Sequence, residues 1–144
     1  MKSWWIDEPV VLGSSNPTTE QLVKLFQEGF RSIFSLLDEG EYRPHYDVSE
    51  VKKLGYDRYK IEIRDYTPPS SEQFKDFSAN IVQAVGKGKV LVHCQGGHGR
   101  TGTMAAAYWI SKGLTAEQAI TKVRQINPRA IETKEQKESL YSLG

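Results

Sequence analysis

His93 and Cys94 are followed, across the five-residue gap Gln95-Gly96-Gly97-His98-Gly99, by Arg100 and Thr101, and Cys94 is the only cysteine in the chain. These residue types at this spacing suit capture of a phosphate and attack on it by sulfur. Glycines at 96, 97, 99 and 102 let the backbone wrap tightly, so that N–H groups along Gln95, Gly96, Gly97, His98 and Gly99 can converge on phosphate oxygens. A helix opening just after the turn aims its positive end at the same spot. Arg100 adds a planar fork that grips two oxygens and stays charged at any relevant pH. The same field favours the thiolate of Cys94, the nucleophilic form. One device thus binds the anion and arms the nucleophile.

Duller readings of these residues lack support elsewhere in the chain. A lone cysteine is often a small core residue, but this one stands among glycines and ahead of an arginine. Gly97-x-Gly99-x-x-Gly102 satisfies the dinucleotide fingerprint, yet Thr121 and Lys122 stand where that fold needs an acidic residue after a second strand. His93, Cys94 and His98 find no second cluster to complete a tetrahedral zinc set. No metal and no cofactor is expected.

His93-Cys94-(x5)-Arg100-Thr101 resembles the signature of the cysteine-dependent protein tyrosine phosphatases, and the chain is similar to the small atypical dual-specificity members from Ile61 to Gln136 above all. The resemblance implies an aspartate about 30 residues before the cysteine that protonates the leaving oxygen, and Asp65 stands there, in Ile63-Arg-Asp-Tyr-Thr-Pro-Pro-Ser70. General acid help of this kind is worth about 10²- to 10⁴-fold. Arg64 departs from the proline common in relatives and would set a cation beside Asp65, favouring its charged form. Asp38, Glu39 and Glu41 are reserve acids in a solvated loop bordering the substrate.

The same resemblance assigns further roles. Asp65, once ionised, would serve as base for the water that hydrolyses a cysteinyl-phosphate. Gln136, in Ile131-Glu-Thr-Lys-Glu-Gln136, matches a segment that orients that water, but it is also the partner of Thr133 in a capping box, and both readings stand. Glu132 shares that ambiguity. Thr101 would give its hydroxyl to the departing sulfur, and His93 would support the loop by hydrogen bonding. His98 tunes the site or faces solvent. Arg129 adds charge near the pocket or covers the surface.

Elements that could hold this site are readable from the pattern of residues. Trp4–Ile6 and Pro9–Leu12 read as short strands, Arg31–Leu37 as another, and Tyr59, Ile61 and Ile63 alternate with charged residues as in a strand buried on one face. Val90–Val92 is a continuous apolar run, as in a central parallel strand. Capping boxes at Thr18/Gln21, Ser70/Gln73, Thr115/Gln118 and Thr133/Gln136 open helices. A short helix is expected over Ser49–Leu54, and one apolar on nearly every side over Arg100–Lys112. Strands alternating with helices, then a helical tail, predict an α/β fold: a mostly parallel sheet of about five strands with helices on both faces, and Cys94 at the carboxyl end of a central strand.

With 144 residues, 38% hydrophobic and 26% charged, the chain suits one globular domain over residues 1–144. A formal charge of +1 gives no footprint for nucleic acid and no polybasic patch for a membrane. The opening residues carry charge too early for a signal peptide, no apolar run is long enough to span a bilayer, and a single thiol fits a reducing compartment; a cytoplasmic monomer is expected. The resemblance implies a phosphatase acting on phosphotyrosine, and through a shallow pocket on phosphoserine or phosphothreonine, in a protein or peptide partner. Phosphoinositide or RNA 5′-triphosphate hydrolysis, or phosphoresidue binding without turnover, are the alternatives. The five-residue gap holds no lysine to meet the extra phosphates of an inositol lipid, and Cys94 is intact, unlike in binding-only relatives.

Overall fold

Val90, Leu91 and Val92 are fully buried, because the strand that carries them has neighbours on both edges and helices on both faces. The computed structural model describes residues 1–143. In chain order it contains β1 (Ser3–Asp7), β2 (Val11–Ser14), α1 (Thr19–Gln27), β3 (Phe30–Ser35), α2 (Val48–Leu54), β4 (Asp57–Lys60), α3 (Ser71–Val85), β5 (Lys89–His93), α4 (Gly99–Ser111), α5 (Ala116–Ile126) and α6 (Lys134–Tyr141). The sheet runs β1-β2-β5-β3-β4. Only the edge pair β1–β2 is antiparallel, while β2–β5, β5–β3 and β3–β4 are parallel. This is the expected five-stranded α/β sheet, with β5 in the middle.

Alternation along the strands sorts side chains between two cores. Val90 and Val92 face the larger one, with Phe74, Phe77 and Ile81 of α3, Met104 of α4, Val123 of α5 and Leu140 of α6. Leu91 faces the smaller, with Leu22 and Leu25 of α1 and Val51 of α2. On β3, Ile33 and Phe30 both join the smaller core although they are not an even number of residues apart. A shift of register between Phe30 and Ser32 accounts for it.

All four expected capping boxes form, at the starts of α1, α3, α5 and α6. Some boundaries move. The second strand starts at Val11 instead of Pro9, since proline has no N–H to give a ladder. The short helix opens at Val48, capped by Asp47, whose side chain accepts from Glu50 N at 3.0 Å. The strand expected through Ile63 ends at Lys60; Ile61 N and Ile63 N still donate to Ser35 O and Leu36 O, at 2.9 and 3.3 Å, while both isoleucines turn into the larger core. That departure carries the chain from the sheet edge toward the end of β5, where Asp65 is needed.

Candidate active site

Cys94 follows β5 directly, and its turn leads straight into α4. The sulfur is buried and accepts two hydrogen bonds, from Gly97 N at 3.2 Å and from Thr101 Oγ1 at 3.0 Å. Two donors converge on one sulfur. Thr101 thus stands where the sequence reading put it, against the nucleophile. The α4 terminus differs from the four boxed ones: His98, its capping residue, makes no side-chain cap bond. Among the described residues, the backbone N–H groups of Gly96, His98, Gly99 and Arg100 have no acceptor. They are the orphan donors that an anion at a helix start satisfies.

Two of the glycines are there for sterics. Gly97 has φ +83, and a Cβ on it would lie 2.7 Å from Ser15 N; a Cβ on Gly102 would meet Ala130 Cβ at 2.7 Å and Ile131 N at 2.8 Å. Gly96, by contrast, has space for a Cβ. Its expected part in tightening the turn is not required, and it forms an exposed rim.

Arg100 is 1% exposed and its donors divide between two tasks. Nη1 donates to Ile63 O at 2.9 Å, and Nη2 lies 3.3 Å from Asp65 Oδ1. Nε is buried with no partner among the described residues. A buried guanidinium donor left unpaired is costly unless a ligand meets it. Asp65, partly exposed, is held by its own loop: its N–H donates to Glu41 Oε1 at 3.0 Å, and Tyr66 N donates to Asp65 Oδ1 at 2.9 Å. Tyr66 takes the left-handed φ of 65. Tyr66 O and Thr67 O then accept from Thr133 Oγ1 and Gln136 Nε2, at 3.1 and 3.3 Å, which moors the acid loop to the start of α6.

Arg64 does not face Asp65 as expected. It is largely exposed and its nearest carboxylate is Glu41, at 3.9 Å, so the cation beside Asp65 is Arg100. Of the reserve acids, Glu41 holds the acid loop, Glu39 pairs with Lys60 at 3.1 Å, and Asp38 Oδ1 accepts from Gly40 N. Gln136 is fully buried; its Oε1 accepts from Glu132 N and Thr133 N at 2.9 and 3.1 Å. Glu132 is exposed, with its carboxylate against Gly99.

His93 is buried behind the loop. Its Nδ1 is 3.3 Å from Cys94 O, its Nε2 is 2.8 Å from Tyr46 Oη, and Arg58 Nε donates to that same phenol oxygen at 2.9 Å. Burial pushes its pKa down to about 3, so the ring is neutral. One ordering satisfies all three contacts: Arg58 donates to Tyr46, Tyr46 donates to Nε2, and Nδ1–H donates to Cys94 O. His98 is also driven toward its neutral form, by burial first and then by the Arg129 cation. Arg129 N donates to Asn127 Oδ1 at 3.1 Å, which turns Asn127 Nδ2 toward His98 Nδ1 at 3.0 Å. The ring proton therefore sits on Nε2. Gln95, expected to meet substrate, uses its side-chain oxygen to accept from Asn16 Nδ2 at 3.0 Å, and its backbone N–H has no acceptor among the described residues.

Residues that local sequence reading missed are Trp4, Asn16, Tyr46 and Arg58, while Glu41, read as a reserve acid, holds the backbone of Asp65 instead. Trp4 Nε1 donates to Gly97 O at 2.8 Å, and Asn16 N donates to Gln95 O at 3.1 Å. Among the described residues no group of three or more metal-ligating side chains forms.

A parallel sheet that delivers cysteine, arginine and a loop-borne acid to one anion cup defines a phosphatase domain of the cysteine-dependent class. The chain belongs to the family described as Swiss Army Knife protein, DSP-PTPase phosphatase domain, which it matches over residues 2–140. It is 30% identical to protein tyrosine phosphatase domain-containing protein 1 of Bos taurus over 152 aligned positions, covering 93% of this chain and 19% of that protein. It thus spans about a fifth of that curated relative. A crystal structure of Tk-PTP in the active form superposes with TM-score 0.88 and 34% identity, over 98% of this chain and 95% of that one. PTPMT1 in complex with PI(5)P gives 0.85 and 26%, over 98% and 93%.

Proposed function

We propose that this chain hydrolyses phosphate monoesters through a cysteinyl-phosphate, with phosphotyrosine and then phosphoserine or phosphothreonine of proteins as substrates. The observation that carries the reading is the buried, unpartnered Arg100 Nε beside a sulfur that already accepts two hydrogen bonds. Nε and the adjoining Nη2 edge of the guanidinium take two phosphate oxygens as a fork, and the free N–H groups of the turn take the others.

Cys94 Sγ attacks phosphorus, the S–P bond forms, and the ester P–O bond breaks as Asp65 gives its proton to the leaving oxygen. Asp65, now a carboxylate, takes a proton from water. The water oxygen bonds to phosphorus, the S–P bond breaks, and inorganic phosphate leaves. Thr101 Oγ1 and Gly97 N stabilise the thiolate released in that step. Gln136 and Glu132 serve position: the first caps α6 and ties down the acid loop, the second packs against the turn.

Turnover of p-nitrophenyl phosphate in EDTA tests the reading. Activity that persists without metal, vanishes in Cys94→Ser and is blocked by vanadate supports it; tight phosphopeptide binding without phosphate release overturns it in favour of a binding module. Phosphate release compared across phosphopeptides, inositol lipids and triphosphorylated RNA identifies the substrate class. We also propose a cytoplasmic monomer, in keeping with the lone thiol, checked by cell fractionation and light scattering.

A further inference from the structure

Gly97 O accepts a single hydrogen bond among the described residues, from the indole Nε1 of Trp4 at 2.8 Å. The donor lies 93 residues away in the chain, on the edge strand β1. Other carbonyls of the turn are tied by the preceding imidazole or by backbone. Cys94 O lies 3.3 Å from His93 Nδ1, Gln95 O accepts from Asn16 N at 3.1 Å, and His98 O accepts from Gly102 N and Ile131 N at 2.9 and 3.2 Å. In a trans peptide the C=O and the following N–H point in opposite directions within one plane. Each carbonyl held outward therefore turns the next N–H inward. The N–H groups so turned, those of Gln95, Gly96, His98 and Gly99, are donors with no acceptor among the described residues.

Of these planes, the one between Gly97 and His98 is least fixed by its own backbone. Gly97 has φ +83 and no side chain to limit how the next peptide turns, so the indole is its one tie. The sequence builds a seat for that ring. Trp4 pairs with Gly13 across the antiparallel edge, and Gly13 pairs in turn with Val92 of β5. A Cβ on Gly13 would lie 3.2 Å from Trp4 Cε2 and 3.0 Å from Thr101 Cγ2. The missing side chain thus lets the indole and the threonine beside the nucleophile close over one spot. Trp5, the next residue, takes the opposite face: Trp4 packs against the larger core, whereas Trp5 joins the smaller one and stacks on Phe30 with ring centroids 6.2 Å apart.

We infer that Trp4 is a positioning residue of the anion cup: its indole N–H holds the Gly97 carbonyl and, through the rigid peptide plane, aims the His98 N–H at a phosphate oxygen. The inference rests on the phosphatase reading above and adds to it a residue far outside the Cys94–Thr101 segment. The indole carries its one donor on a rigid double ring, so packing of the ring sets the direction of the bond. Phenylalanine fills much of the same space and has no donor.

The test measures vanadate inhibition and kcat/KM for p-nitrophenyl phosphate in Trp4→Phe and Trp5→Phe, with urea unfolding of both. Each substitution trims a ring packed on the sheet, and each should lower the urea midpoint. Only Trp4→Phe should weaken vanadate, by about three- to thirtyfold, the span between a misaimed and a lost hydrogen bond to a charged acceptor, and kcat/KM should fall within the same range. A role confined to packing would move the midpoint and leave vanadate inhibition where it was. Benzothienylalanine at position 4 keeps the double ring and puts sulfur in place of the N–H; it should reproduce the loss, and it serves where Trp4→Phe does not fold. Wild-type vanadate affinity in the benzothienyl variant, or an equal loss in Trp5→Phe, overturns the role of Trp4 and leaves the catalytic reading intact. No turnover of p-nitrophenyl phosphate by wild type overturns the catalytic reading and this one with it.

Discussion

Arg100 donates from Nη1 to the carbonyl of Ile63, 37 residues earlier in the chain, at 2.9 Å. The bond fixes the guanidinium plane from the side of the acid loop, so the anion fork and the proton donor share one anchor. A lysine could supply the charge but neither the plane nor this anchor.

Arg100→Lys should therefore lower kcat/KM by about 10²- to 10³-fold, the sum of two charge-assisted bonds to phosphate weakened or lost. KM and kcat should both suffer, since the fork acts in the ground state and in the transition state. Inhibition by vanadate should weaken in parallel. A variant that kept wild-type vanadate affinity would remove Arg100 from the anion site.

Asp65→Asn should slow alkyl phosphates by about 10²- to 10⁴-fold and p-nitrophenyl phosphate much less, because a good leaving group needs little protonation. The alkaline limb of the rate profile, where the acid has lost its proton, should flatten. Glu41→Gln is the companion. Its side chain can still accept from Asp65 N, so it should keep most activity, whereas Glu41→Ala frees the loop and should show a partial version of the Asp65→Asn defect. Rates measured over a series of leaving groups separate these outcomes.

What could be read in the sequence was local. Cys94, Arg100 and Thr101 lie within eight positions of one another, and each helix cap spans four residues, so short motifs specify them. What could not be read is carried by contacts across 24 to 93 residues: Glu41 to Asp65, Tyr46 to His93, Asn16 to Gln95, Trp4 to Gly97. Nothing in the spacing of such pairs announces them. Arg64 misled for the same reason. Adjacency to Asp65 suggested a contact, but successive side chains of an extended segment point apart, and the arginine reaches Glu41. Ile61 and Ile63 kept the alternation of a strand after the hydrogen-bonded ladder had ended, because burial alone preserves that pattern.

Gly102→Ala and Gly99→Ala separate two kinds of tightness. A Cβ on Gly102 meets Ala130 Cβ and the backbone of Ile131, neither able to yield without moving the loop before α6. Overpacking of this sort costs about 1–3 kcal/mol, read as a lower urea midpoint. A Cβ on Gly99 meets the end of the exposed Glu132 side chain first, at 2.5 Å, and that carboxylate can swing away. Gly99→Ala/Glu132→Ala should then be no less stable than Glu132→Ala, while Gly102→Ala finds no such relief.

Gln136→Ala should lower stability by about 1–2 kcal/mol, the usual loss for a broken cap, with some added from Thr67 O left unpaired. Because the amide oxygen already accepts two backbone N–H groups, the variant should show no stopped-flow burst of p-nitrophenol. A burst of about one equivalent per enzyme, marking a stalled cysteinyl-phosphate, would instead assign Gln136 to the hydrolytic water.

His93 predicts how stability follows pH. Its ring titrates near 3 in the folded chain, against an ordinary value of 6.5, chiefly because burial penalises the charged form. Between those values the unfolded chain binds a proton that the folded chain refuses, so stability rises with pH across the window. Above about pH 6.5 both forms are neutral and the effect is absent; as pH falls below it, stability drops by up to about 1.4 kcal/mol per pH unit. His93→Asn removes the titrating group. The variant should be less stable at pH 7.5, where it loses the bond from Nδ1 to Cys94 O and the one from Tyr46, but its unfolding free energy should fall less steeply from pH 6.5 to 4.5. Urea titrations of both proteins at half-unit intervals measure the two slopes, and equal slopes would mean that the imidazole accepts a proton in the folded state, with the Arg58–Tyr46–His93 relay reordered around it.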